Sequence, residues 1–211
     1  MATLQNYITQ CRRLLHDANA NFYSDTELTD YINEARQRLV RDTGCLRTIQ
    51  SSATVISQEV YPYSGLPQTT KTLDIININV YWGTTRVPLR YLPWTNFNAQ
   101  LRYWQNYTGT PIAFCVYGQS SFYLGPVPDQ VYTLELDTVI LPTDLVALTD
   151  TDTILDPYTA PVAFYACYKA KFQEESYGES DIFNKQYISQ ARGVLASIQT
   201  RRMPTPYTMP Y

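Results

Sequence analysis

The densest run of side chains able to hold a cation is TDTDTILD, which brings Asp150, Asp152 and Asp156 close together. A calcium loop alternates carboxylates in this way, but it also needs a central glycine and a terminal bidentate glutamate. Neither stands at the required spacing here, and an Asx-turn with solvated carboxylates accounts for the same residues. The single histidine, His16, sits beside Asp17 near the end of a helical pattern. Base catalysis would require a visible partner constellation, so a surface or capping role is expected. No nucleophile elbow and no phosphate-binding glycine loop occurs. Cys11, Cys45, Cys115 and Cys167 are widely separated, form no CxxC pair and lie away from His16. That spacing suits reduced, buried thiols rather than a zinc site. The chain is therefore expected to be no enzyme and to take no cofactor or metal.

The elements that carry these residues fall into three blocks. At the start, Leu4, Ile8, Cys11, Leu14 and Leu15 recur at helical spacing, with Arg12 and Arg13 on the other face. A second helix opens at Ser24, with Glu27 three residues on as a capping box and Asp25 favouring the same positive end. Its apolar stripe is Leu28, Tyr31, Ile32, Ala35 and Leu39, which leaves Arg36, Arg38 and Arg41 to point elsewhere, and Gly44 is placed to end it. The middle of the chain alternates as strands do. TLDIININVYW and TRVPLRYL are joined by Gly83-Thr84, and TPIAFCVYG and SSFYLGP by Gly118-Gln119. Among the strands, Phe97, Leu101 and Trp104 match a short helix near 95–106. After DPYTAP two helical patterns return, the second carrying Ile182, Phe183, Tyr187, Ile188, Ala191, Leu195 and Ile198.

Two short amphipathic helices cannot bury their stripes alone, so the terminal helices must pair. The expectation is an α+β fold. Residues 1–45 and 158–200 form an α-helical bundle, and 46–157 form an inserted β-sandwich or barrel-like domain. Residues 201–211, RRMPTPYTMPY, form an extended C-terminal arm. Pro204, Pro206 and Pro210 forbid helix and hold their predecessors extended. At ~3.1 Å per residue the arm reaches roughly 30 Å. Tyr207, Met209 and Tyr211 supply anchors, and Arg201 and Arg202 supply charge at its root.

Net charge is −3, which argues against a sequence-reading DNA binder. Its placement is uneven: Asp129, Glu135, Asp137, Asp144, Asp150, Asp152 and Asp156 stand in a stretch with no Lys or Arg. After Asp181 come only bases, Lys185, Arg192, Arg201 and Arg202. This reads either as a solvated acidic face and a basic end or as a patterned assembly surface. The 19 tyrosines suit either a Tyr-rich β-core or half-wet protein-binding surfaces. Trp82, Trp94 and Trp104 leave room for another reading, an aromatic-rich binding module for single-stranded nucleic acid or glycan. No apolar run approaches a membrane span.

The first 44 residues resemble the N-terminal signature of head-to-tail adaptor (connector) proteins of short-tailed, podovirus-like bacteriophages. In that family a helix ending in L-x-D or a similar polar turn precedes a polar-D-x-E-L-x-x-[YW]-I-N-x-A helix. The matching positions are Ser24, Asp25, Glu27, Leu28, Tyr31, Ile32, Asn33 and Ala35. The resemblance implies a structural virion protein of the neck, made in the bacterial host cytoplasm. It implies a ring, usually of twelve subunits, under the portal protein, with neighbouring adaptor subunits packed side by side. The C-terminal arm grips the portal, the β-rich part faces tail nozzle or tail fibre proteins, and genomic double-stranded DNA passes through the channel during ejection. On that picture the acidic residues line the channel or a distal surface.

Overall fold

The computed structural model describes residues 1–67, 71–104, 106–118 and 120–200, with 101, 102, 199 and 200 described in backbone only. The arm, 201–211, lies outside the described residues. Chain contacts divide the protein into two units, Met1–Leu46 with the part from Leu141 onward, and Arg47–Ile140. Among the described residues there are five α-helices and two four-stranded sheets, an α+β architecture.

The first unit holds α1 (Leu4–Leu15), α2 (Asp25–Thr43), α4 (Ala160–Gln173) and α5 (Tyr177–Thr200). Each forms where the periodicity places it, and the ends of α1 and α2 have chemical causes. The Thr3 side chain accepts from Asn6 to open α1, and His16, with φ 57°, closes it in the left-handed region. Ser24 and Glu27 make the reciprocal capping box of α2. Gly44 ends that helix at φ 63°, a conformation that costs glycine little. The buried faces are Leu4, Tyr7, Ile8 and Cys11 on α1 and Leu28, Ile32, Ala35, Leu39 and Val40 on α2. They meet a small-residue face of α4, Val162, Ala163, Ala166, Cys167 and Ala170. Tyr187, Ala191, Val194 and Ile198 of α5 are buried too, whereas Ile182 and Ile188, expected on the same stripe, are exposed.

The second unit runs β1 (Arg47–Ala53), β2 (Val60–Pro62), β3 (Thr72–Trp82), β4 (Thr85–Pro88), β5 (Arg90–Tyr91), α3 (Trp94–Trp104), β6 (Thr108–Gly109), β7 (Ala113–Tyr117), β8 (Ser121–Gly125), β9 (Val127–Pro128) and β10 (Thr133–Ile140). One sheet has the order β1-β10-β3-β4 and is antiparallel throughout. The other has the order β2-β8-β7-β5, with β5 and β7 parallel. Neither sheet closes on itself, so the barrel alternative is not what forms. Side chains from both sheets share one core, including Ile78, Val80, Leu134 and Leu136 from the first and Phe114, Phe122 and Leu124 from the second. α3 lies against β7 and β8 through Trp94, Phe97 and Trp104. Gly125 is required there, because a Cβ would run into the Trp104 ring.

The second unit ends at Ile140, whereas composition put the boundary at DPYTAP. The intervening segment, 141–157, groups with the helices for a reason given below.

The Ser24 cap offers a direct check. Ser24→Ala should cost about 1 kcal/mol, read as a shift in the urea midpoint with unchanged slope.

Candidate functional site

The helical unit is tied together at one buried polar junction. Arg36 on α2 is 0% exposed and Asp152 is 1% exposed. The guanidinium donates to Asp152 Oδ1 at 2.8 Å, to the Thr143 carbonyl at 2.8 Å and to Asn33 Oδ1 at 3.0 Å. The other carboxylate oxygen accepts the Tyr7 hydroxyl of α1 at 2.6 Å, and Oδ1 also accepts the Ile154 N–H at 2.9 Å. Burial first, then the Asp152 charge and hydrogen bond, push the Tyr7 phenol far above its ordinary value. It therefore stays protonated and remains a donor.

Asn33, one of the signature residues, completes the clamp. Its amide donates to the Leu145 carbonyl and accepts from the Leu145 N–H, both at 2.9 Å. A side-chain amide paired this way satisfies both groups of a peptide that has no ladder of its own. Asn33 and Arg36 are three residues apart, so they lie on one side of α2 and grip 143–152 together. The same segment is strapped to the start of α1. Leu4 donates to Asp150, Gln5 to Leu148 and Asp152 to Ala2, and Thr3 bridges Thr151. That is why 141–157 belongs with the helices.

A second junction holds the loop between α1 and α2. Asp17 is buried and accepts N–H groups from Asn21, Phe22 and Tyr23. Arg12 bonds Asp17 at 3.2 Å, Asp25 at 2.6 Å and the Tyr23 carbonyl at 3.1 Å. Burial pushes the Asp17 carboxyl up, but the N–H groups of Tyr23, Asn21 and Phe22 and the Arg12 charge outweigh it and hold the carboxyl below the usual range. Asp17 is the aspartate of the L-x-D turn, so the turn has a physical role, the closure of this loop.

The acidic stretch is largely committed to local partners. Asp152 is corrected outright: it faces no surface. Glu135 pairs with Arg86 and also accepts from Asn79 and Tyr81; Asp137 pairs with Arg47. All of these lie on the outer face of the β1-β10-β3-β4 sheet, where the register sets Ser51, Glu135 and Asn79 in one row and Ile49, Asp137 and Asn77 in the next. Asp156 pairs with the Met1 amino group at 2.8 Å. Asp150 accepts from the Val146 and Ala147 N–H groups, Asp144 from Gln37 and Asp129 from the Tyr132 hydroxyl.

The remaining signature residues divide between caps and core. Ser24 and Glu27 cap α2, Asp25 meets Arg12, and Leu28, Ile32 and Ala35 are fully buried. Tyr31 reaches Gln173 of α4. Arg201, Arg202, Pro204, Pro206, Tyr207, Met209 and Tyr211 lie outside the described residues. Of the other candidates, Trp94 packs with Phe97, Tyr117 and Tyr123, and Trp104 with Phe97, while Trp82 remains exposed.

Sequence reasoning missed Arg36, Tyr7, Arg12 and Asp17. Arg36 is expected to point away from the apolar stripe, yet it follows Ile32 by four residues and precedes Leu39 by three, which puts it inside that stripe. Its placement there was readable, but its partner lies 116 positions away.

Each polar group just described holds chain segments together. The sequence model of the SU10 adaptor protein family matches residues 2–210. The chain belongs to that family, so it is a bacteriophage structural adaptor. No match is found among curated proteins. Among the described residues no helix is long and apolar enough to cross a membrane.

Two outcomes check the junctions. Arg36→Met removes one partner of a buried pair and should lower stability by about 3–5 kcal/mol in urea denaturation. Asp17 has a lowered folded pKa, so its contribution is present above the unfolded value, ~3.9, and fades as pH falls through the lower folded value. The Tm gap between the wild type and Asp17→Asn should accordingly be widest near neutral pH and shrink in acid.

Proposed function

We propose that this adaptor forms a ring, dodecameric by resemblance, beneath the portal protein and links it to tail nozzle or tail fibre proteins. The genome then passes through its channel. On this reading the helical unit is a bundle built around the Arg36 junction, and the β-rich unit is a sandwich-like insertion turned toward the tail. The observation that carries the reading is the extent of the family match. It runs through residue 210, so the proline-rich end belongs to the family pattern along with both folded units.

Arg201, Arg202, Pro204, Pro206, Tyr207, Met209 and Tyr211 act as the portal-docking arm. A proline-stiffened segment loses less entropy on docking than a flexible one. α5 is described to Thr200, so the arm would start from a helix whose buried side is anchored in the unit. An acidic channel would let phosphate slide rather than stick. With Glu135, Asp137, Asp152 and Asp156 each ion-paired, Asp129, Asp144 and Asp150 are the acids of that stretch left as candidates for a channel or a distal surface. The aromatic binding-module reading loses support, because two of its three tryptophans pack within the β-rich unit.

Mixing the full chain with purified portal should give rings by negative-stain microscopy. A chain lacking 203–211 should keep its circular dichroism and Tm but fail to bind portal. Normal attachment by the truncated chain would overturn the arm assignment.

A further inference from the structure

Cys11 on α1 and Cys167 on α4 are both fully buried, and each points its sulfur at the other helix. The Cys11 thiol points to the Ala163 carbonyl, with a sulfur–oxygen distance of 3.9 Å, and the Cys167 thiol to the Cys11 carbonyl at 3.8 Å. Each sulfur therefore reaches the backbone of the opposite helix, which sets the two side chains beside one another. The approach is possible because the buried side of α4 is Ala163, Ala166, Cys167 and Ala170, which adds little bulk between the helix axes. The other two cysteines are not rivals: Cys45 is partly exposed just beyond α2, and Cys115 is buried on β7 in the other unit.

We propose that Cys11 and Cys167 are a latent redox site, closing to a disulfide that ties α1 to α4 once the protein passes from a reducing to an oxidising environment. The oxidant is a small-molecule disulfide. One protein thiolate attacks it, forming a mixed disulfide and releasing one small thiol. The second protein thiolate then attacks the mixed disulfide and releases the other. Two protein thiols thus lose two protons and two electrons, and the oxidant takes them up to become two thiols. The hydrogen bond to Cys11, and then burial, push the Cys167 thiol far up, so little thiolate exists in the closed fold and the reaction waits on local opening of the helices. Such a site stays reduced during synthesis and assembly and closes slowly afterwards, in the environment where disulfides persist. The cysteines lie 156 positions apart, so the link would close a long loop in the unfolded chain.

The test uses the reduced full-length protein incubated with hydroxyethyl disulfide and analysed by non-reducing peptide mapping. Cys45, the one cysteine that is not fully buried, serves as the internal reporter, and loss of its free thiol shows that the oxidant is active. The expected result is a Cys11–Cys167 linked peptide and a Tm raised by roughly 5–15 °C. Cys11→Ala and Cys167→Ala should abolish both, either variant sufficing if the other does not fold. Modification of Cys45 with Cys11 and Cys167 still unlinked would overturn the proposal. So would a Tm rise that persists in the alanine variants, or a link that leaves Tm unchanged. None of these outcomes depends on ring formation or on the arm.

Discussion

The helical unit depends on a charge that has been taken out of water. Removing a guanidinium and a carboxylate from solvent costs several kcal/mol per ion, and their attraction offsets this only if the remaining valences are filled. Here they nearly are. The Arg36 terminal nitrogens serve Asp152, Thr143 and Asn33, and Asp152 also takes Tyr7 and the Ile154 amide. Only the Arg36 Nε has no partner among the described residues. A hydrophobic core could have supplied comparable stability. What the ionic junction adds is geometric: α1, α2 and a strandless segment from 143 to 154 must meet in one register or leave a charge unpaired.

The same economy governs the acidic stretch. Read linearly it is a run of seven carboxylates with no base between them. In the fold, arginines from distant segments reach in to neutralise three of them, Arg36, Arg47 and Arg86. The tyrosines follow a related rule. Tyr7, Tyr81, Tyr132 and Tyr187 each direct a phenol at a carboxylate, and Tyr61 at backbone carbonyls, while their rings fill apolar space. The first four of these thus each satisfy a carboxylate, three of them from rings that are themselves buried.

For an adaptor such wiring has a mechanical sense. A protein that transmits load between head and tail needs bodies that do not shear, and directional polar junctions between secondary elements resist sliding better than apolar contact alone. The family match covers nearly the whole chain.

Much of this was legible in one dimension. The helices, their caps at Ser24 and Gly44, the turns at Gly83 and Gly118 and the strand-rich middle all follow from local periodicity and from residues with special backbone preferences, which act over a few positions. The adaptor family was visible in the motif from Ser24 to Ala35, because its spacing encodes the cap and the buried face of one helix. What the sequence could not determine is which charges are paired. Arg36 and Asp152, Arg47 and Asp137, and Arg86 and Glu135 are separated by tens to more than a hundred residues. Only chain folding brings them together, so only the tertiary structure decides that an apparent acidic surface is largely neutralised and that a supposed surface arginine lies at the centre of the helical unit.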